Sequence, residues 1–287
     1  MKHPIPGQTL PISPALPSVI SGARAVLTRL PMLCVVASAV VSLGISTAAC
    51  GGKKSIVPAG TTQPDKYLFD RGNEELERKH WVNARTYFQQ IVDNYPQSPL
   101  RADAKLKMGD TYLGENSTES VVLASNEFKE FLSFYPTSAR ADYAQFKLAM
   151  SHFVKMRAAE RDQTETRDAV KEFDIFFDKY PDSPLAPEAK QKSREAHDRM
   201  TAAAYRVGVF YYRMRWYPGA IARFRQTLAE DPGFSTRDGV YYYLAESLAR
   251  TDKKAEAIPY FERLLAEFTQ SEFLLDTRKR LEELKAQ

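Results

Sequence analysis

Cysteine is nearly absent: the 287 residues hold two, Cys34 and Cys50. A disulfide framework of the kind that staples small exported domains is therefore excluded. Acidic residues are absent from the first 49 positions, which carry three basic ones, Lys2, Arg24 and Arg29. Long apolar runs are also missing. The one candidate, 31–46 (PMLCVVASAVVSLGIS), falls short of the roughly 20 residues that span a bilayer as a helix. Glycine beyond position 65 occurs only singly, which excludes a Gly-rich phosphate loop. Histidine is scarce, with His80, His152 and His197 each alone in its segment and no HExxH. Paired carboxylates such as Glu74/Glu75 and Glu282/Glu283 read as solvated helix faces. No catalytic residue, metal ligand or cofactor site is expected. Without Lys2, Arg24 and Arg29, 37 basic residues face 36 acidic ones, a net of +1 against the formal +4. Nucleic-acid binding, which leans on a strongly basic field, is not expected.

What the first segment does hold is a basic region, a short apolar core and small residues, the pattern of a secretory signal over 1–49. Thr47-Ala48-Ala49-Cys50 resembles a bacterial lipobox, with Thr47 where Leu is usual. That resemblance implies a lipid on Cys50 and anchorage of the mature chain to a membrane. Cys34 lies inside the signal, so Cys50 is a lone exported thiol, and acylation gives it a use. The alternative is an ordinary signal peptide cleaved near Ala49 that leaves a free thiol. Residues 50–65, rich in Gly, Pro, Thr and Lys, read as the lipidated Cys and a flexible tether.

From position 66 onward one phrase returns. QIVDNYPQSPL (90–100), FLSFYPTSARA (131–141) and FFDKYPDSPLA (176–186) each run an apolar helix end into Tyr-Pro, a polar residue and Ser; weaker copies are TLAEDPGF (227–234) and LLAEFTQSEF (264–273). Proline ends a helix because it lacks an N–H and disfavours helical geometry in the residue before it. The Ser is expected to cap the next helix. Five copies of this punctuation predict stacked helical units.

The expected helices are 67–79 and 81–95, 101–113 and 121–135, and 141–156 and 166–180, with 157–165 as an extended loop. Residues 188–215 read as one long helix. Its apolar residues Ala196, Met200, Ala203, Val207, Phe210 and Met214 form a seam expected to pack on another helix. Lys192, Arg199, Arg206 and Arg213 recur every seven residues as a basic ridge beside it, and Arg199 is set to pair with Glu195. Gly109, Tyr112, Ala124, Phe128 and Pro136 resemble the tetratricopeptide pattern with an insertion in the inter-helix turn, as in the third repeat, while Gly208, Tyr211, Ala220, Phe224 and Pro232, and Ala245, Leu248, Ala257 and Phe261, keep its spacing. The first repeat departs from it at Glu75. The fold expected is all-α, an α-solenoid of about five helix pairs forming a superhelix. Residues 66–187 would carry repeats 1–3, and 188–287 the long helix and repeats 4–5. The first helix of each pair would line a concave groove with Phe69, Asn73, Asp110, Tyr143 and Phe146, suited to an extended peptide. Inter-helix core is the other reading of each of these residues, and a solvated face is the other reading of the ridge.

The lipobox, the repeats, the YP-x-S punctuation, PTSARADYA at 136–144, the insertion after Met156 and the long helix with Asp198-Arg199-Met200 together resemble the BamD family of β-barrel assembly lipoproteins. The resemblance implies an adaptor anchored in the outer membrane, facing the periplasm. It implies partners as well: the BamA periplasmic domain, other Bam lipoproteins and unfolded outer membrane protein precursors. Arg199 matches by position a family arginine that contacts BamA; Arg206 and Lys192 share its ridge. Two other classes stay open: a tetratricopeptide lipoprotein serving another periplasmic complex (cell-wall coordination, pilus or secretion assembly), and an enzyme carried on a solenoid.

Overall fold

A computed structural model describes residues 56–286. The expected signal segment, the lipobox and Cys50 lie outside the described residues. Within them the chain is all α-helix, with eleven helices and no strand: α1 (Pro64–Glu77), α2 (Trp81–Asn94), α3 (Arg101–Glu115), α4 (Thr118–Phe134), α5 (Ala141–Phe153), α6 (Thr164–Lys179), α7 (Ala186–Arg213), α8 (Tyr217–Glu230), α9 (Arg237–Ala249), α10 (Lys254–Glu267) and α11 (Leu274–Lys285). Each packs on the next in chain order, as a solenoid requires. Five pairs form, α1/α2 to α9/α10, and α11 covers the last one. Helix α1 starts at Pro64, two residues inside the expected tether, because proline suits the first helical position. The long helix has the 28 residues expected, about 42 Å, but runs from Ala186.

Inside each pair a small residue lets an aromatic ring approach. A Cβ on Gly109 would lie 2.6 Å from Phe128 Cε1, and one on Gly72 at the same distance from Phe88 Cε1. Phe88, Phe128, Phe173, Phe224 and Phe261 are all fully buried at equivalent places in the five pairs. The turns between paired helices repeat too. Lys79, Asn116, Arg215 and Asp252 all take positive φ, near 60°. At three of them the last carbonyls are closed as in a Schellman motif, for example by His80 N–H to Glu75 O at 2.9 Å and Lys79 N–H to Leu76 O at 3.0 Å. The third pair lacks such a turn because residues 154–163 are inserted there, a loop that starts three residues earlier and ends two earlier than the 157–165 expected.

The serine of the punctuation does something other than cap. None of the helices α3, α5, α7 and α11 has a side-chain cap. The hydroxyl stands too early for that role. It accepts from the N–H two residues on (Leu100, Arg140, Leu185 and Phe273, at 3.1–3.2 Å). In four repeats the serine also donates back to an aspartate in the first helix of its own pair: Ser98 to Asp65 at 2.7 Å, and Ser183 to Asp142, Ser235 to Asp198 and Ser271 to Asp238, each at 2.6 Å. The phrase is thus a clamp that closes four of the five pairs rather than a start signal for the next helix.

The seam of α7 needs correction. Of its six residues only Ala196 is buried, while Val207, Phe210 and Met214 are exposed. The buried stripe is Ala189, Ser193, Ala196, Thr201, Gly208 and Val209. The helix serves two neighbours, α6 with its first half and α8 with its second, so its inward face rotates along its length. Glu75 also departs from expectation. It is 7% exposed and is held by Asn83 at 3.1 Å, His80 at 3.0 Å and Arg78 at 3.2 Å, which explains how a carboxylate fills a place that other repeats give to a large side chain.

Candidate docking grooves

The residues expected to line the concave face are placed on α1, α3 and α5, but the structure uses most of them internally. Phe146 is core, 4% exposed, with its ring against Phe173 and Phe176 at 6.3 and 6.2 Å between centroids. Its expected role in a peptide groove is corrected: the side chain points between α5 and α6. Phe69 is half-buried, edge-on to Phe88 at 5.7 Å. Asp110 and Tyr143 are spent on each other: the Tyr143 hydroxyl reaches both carboxylate oxygens, at 2.7 and 2.8 Å. Burial, then the adjacent Asp110 charge, pushes the phenol far above its ordinary range, so it stays protonated and donates. Lys107 and Lys147 flank the pair at 3.9 and 3.7 Å. What remains at this face is the half-buried Asn73, an edge of Phe69 and this neutralised cluster.

The basic ridge is brought to a different kind of place. A cavity of about 570 Å³ opens between α7, the inserted loop and the turn before α9. Arg199, Arg206 and Ala202 line one wall, Ala159 and Glu160 another, and Phe234 the floor. Arg206 pairs with Glu160, both more than half exposed. Arg199 donates to the Arg157 carbonyl at 3.4 Å rather than pairing with Glu195, which takes Lys192 at 3.5 Å. Lys192 itself lies over the Phe153 ring, 4.9 Å from its centroid, so it belongs to the α5–α7 contact and not to the cavity. Asp198 is committed to the Ser235 clamp and to Arg194 at 3.0 Å.

These bonds are weak where it matters. An exposed ion pair is worth about 0–1 kcal/mol, and a 3.4 Å bond is at the limit of a hydrogen bond. Arg199 and Arg206 can therefore exchange their present partners for carboxylates of an incoming protein at small cost. The spacing of α7 already revealed the two arginines. The loop and turn that complete the cavity could not be read from sequence, because Glu160 lies 46 positions from Arg206 and no local pattern links them.

A model of the YfiO family, described as outer membrane lipoprotein, matches residues 61–246, and a tetratricopeptide-repeat model matches 240–271. The chain belongs to the YfiO family of outer membrane lipoproteins. The fold is a helical repeat solenoid, as the helix order and the repeat match agree. Among curated relatives, the outer membrane protein assembly factor BamD of Caulobacter vibrioides is 25% identical over 221 residues, covering 76% of this chain and 71% of the relative. That of Xylella fastidiosa is 21% identical over 170 residues, 56% of this chain and 57% of the relative. That of Rickettsia prowazekii is 22% identical, with 67% and 74% covered. Solved structures similar to it include the TPR2AB domain of yeast Sti1 in its pHSP90 complex (TM-score 0.40, 9% identity, 71% of this chain and 78% of that one). The thermophilic tetratricopeptide protein TTC0263 of Thermus thermophilus gives 0.34, at 16% identity, with 78% and 100% covered. No helix among the described residues is long and apolar enough to cross a membrane.

Proposed function

We propose that this protein is an adaptor of outer membrane protein assembly, held to the outer membrane by a lipid on Cys50 and facing the periplasm. In this reading its C-terminal half binds the periplasmic domain of a BamA-type barrel protein and its N-terminal repeats receive unfolded barrel precursors. The observation that carries the reading is the cavity of about 570 Å³ walled by Arg199 and Arg206, in a chain whose family is described as outer membrane lipoprotein and whose curated relatives are outer membrane protein assembly factors. The two arginines are charged, loosely engaged and set beside the apolar Phe234 and Ala202, which suits an acidic protein surface. The N-terminal role rests on less, Asn73 and Phe69 beside the Asp110–Tyr143 pair. No catalytic constellation enters the proposal, and other lipoproteins of the machine are further partners in it.

The test is a mild-detergent pull-down of the tagged protein from its own membranes, with mass spectrometry of the companions. Recovery of a large protein with periplasmic repeats and a C-terminal barrel supports the proposal. Peptidoglycan enzymes or secretion components in its place would overturn it, leaving fold and family intact.

A further inference from the structure

We propose that His152, Glu165 and Asp168 form a binding site for a divalent transition-metal ion of the zinc class. His152 sits in the last turn of α5, and Glu165 and Asp168 are three residues apart at the start of α6, on one helical face. One ligand atom from each residue lies within 4.8 Å of the others. His152 Nδ1 is 2.8 Å from a Glu165 carboxylate oxygen.

Two observations set this cluster apart from an ordinary ion pair. The first is register. His152 occupies the place that Tyr112, Tyr211 and Leu248 fill in other repeats. Those side chains make apolar or stacking contacts: Tyr112 beneath Arg85, Tyr211 on Trp216, Leu248 in the core. Here an imidazole faces carboxylates instead. The second is Asp168. Among the described residues it makes no hydrogen bond or ion pair, yet its half-buried carboxylate has an oxygen within 4.8 Å of a ligand atom of His152 and of Glu165, an acceptor left without a donor beside two other ligands. A cavity of about 380 Å³ opens at Glu165, with Ser117, Val121 and Lys155 around it, and gives an ion and its water a way in.

One imidazole and two carboxylates are a donor set for Zn²⁺ at three protein positions, with water in the fourth. Mg²⁺ and Ca²⁺, which prefer all-oxygen shells, fit less well. Lys155 opposes binding, because its ammonium holds the other oxygen of Glu165. The site is therefore weak as it stands and would take Glu165 through the oxygen facing His152. A bound ion would tie α5 to α6 across residues 154–163, the loop that brings Arg157 and Glu160 to the long helix. The proposal does not depend on which partner that helix binds.

The test is calorimetry of Zn²⁺ binding to the mature, full-length protein in detergent, with Co²⁺ substitution as a spectroscopic check of an imidazole ligand. Expected is one ion per chain. Binding should weaken at least about tenfold in both His152→Ala and Asp168→Asn, and tighten in Lys155→Gln. The melting temperature should rise with Zn²⁺ in the wild type and not in the two ligand variants, as mass action on the folded state requires. Absence of stoichiometric binding, or binding unchanged by both ligand variants, would overturn the proposal. Should His152→Ala fail to fold, Asp168→Asn decides alone, since the change keeps the side chain's shape and removes no hydrogen bond or ion pair.

Discussion

Replacing Gly109 by alanine tests the packing rule of the whole solenoid. The added methyl would lie 2.6 Å from Phe128 Cε1 and 2.7 Å from Cζ. Contacts under 3.0 Å are essentially never seen for a Cβ, so the ring or the helix must shift by several tenths of an ångström. Phe128 has nowhere to go: it is fully buried among Leu106, Ala124, Phe131, Ala144 and Leu148. Overpacking a full core costs about 1–3 kcal/mol. Against this, alanine is about 1 kcal/mol better than glycine in a helix interior. At the middle of that range the clash wins, and the expected net loss is about 1 kcal/mol and at most about 2, or roughly 2–4 °C in melting temperature at the central value for a domain of this size. Circular dichroism followed through a urea or thermal transition reads it. A double-mutant cycle with Phe128→Leu isolates the cause, since a leucine leaves room for the methyl: the pair should couple favourably by about 0.5–3 kcal/mol. If Gly109→Ala is as stable as the wild type, or the coupling is zero, the reasoning fails, because the glycine would then not be there to admit the ring.

Four further outcomes are expected. Phe88→Ala should cost about 3–5 kcal/mol in a denaturant titration, as for other fully buried aromatics, and a loss under about 1 kcal/mol would contradict its place in the core. Arg199→Glu should weaken binding to the assembly partner in a pull-down while leaving the melting temperature unchanged, since its one hydrogen bond is long and on the surface; equal losses of both would refute a docking role. Cys50→Ala should release the protein from the outer membrane in fractionation, and retention there would exclude a lipid anchor. Asp231→Asn should cost about 1.5–3 kcal/mol at neutral pH, because the carboxylate accepts from Arg194 at 2.9 Å and Thr201 at 2.8 Å. Burial works against the Asp231 charge, yet these bonds hold its pKa below the ordinary 3.8. Its contribution is therefore complete above the unfolded-state value and is lost as pH falls through the lower folded one. The stability gap between wild type and variant should close as pH falls below the ordinary carboxylate value of 3.8; a gap that instead widens there would mean the group is stabilised in its neutral form.

Helix positions were legible in the chain because the signals that set them are local. Proline at 96, 136, 181 and 232 stands just past a helix end, where its lost N–H and its effect on the residue before it act locally, and the spacing of Ala124, Phe128 and Phe131 within one helix needs only 3.6-residue periodicity to be seen. The Schellman turns at Lys79, Arg215 and Asp252 were not legible, because none of these residues is the glycine that usually marks a left-handed position. The serine clamps escaped too, since Ser183 and Asp142 are 41 positions apart and meet only after two helices have folded against each other.

By itself, then, the sequence determined a signal-like pattern over 1–49, helical repeats and two arginines seven apart on one helix. Those follow from composition and from periodicity, which act over one turn or one helix. The tertiary structure alone decided which face of α7 is buried, that Phe146 is core rather than groove, that Glu75 sits satisfied among three donors, and that His152 meets Glu165 and Asp168. Each of these depends on which helix lies opposite, and burial and polar pairing between helices are set by that packing and not by any spacing along the chain.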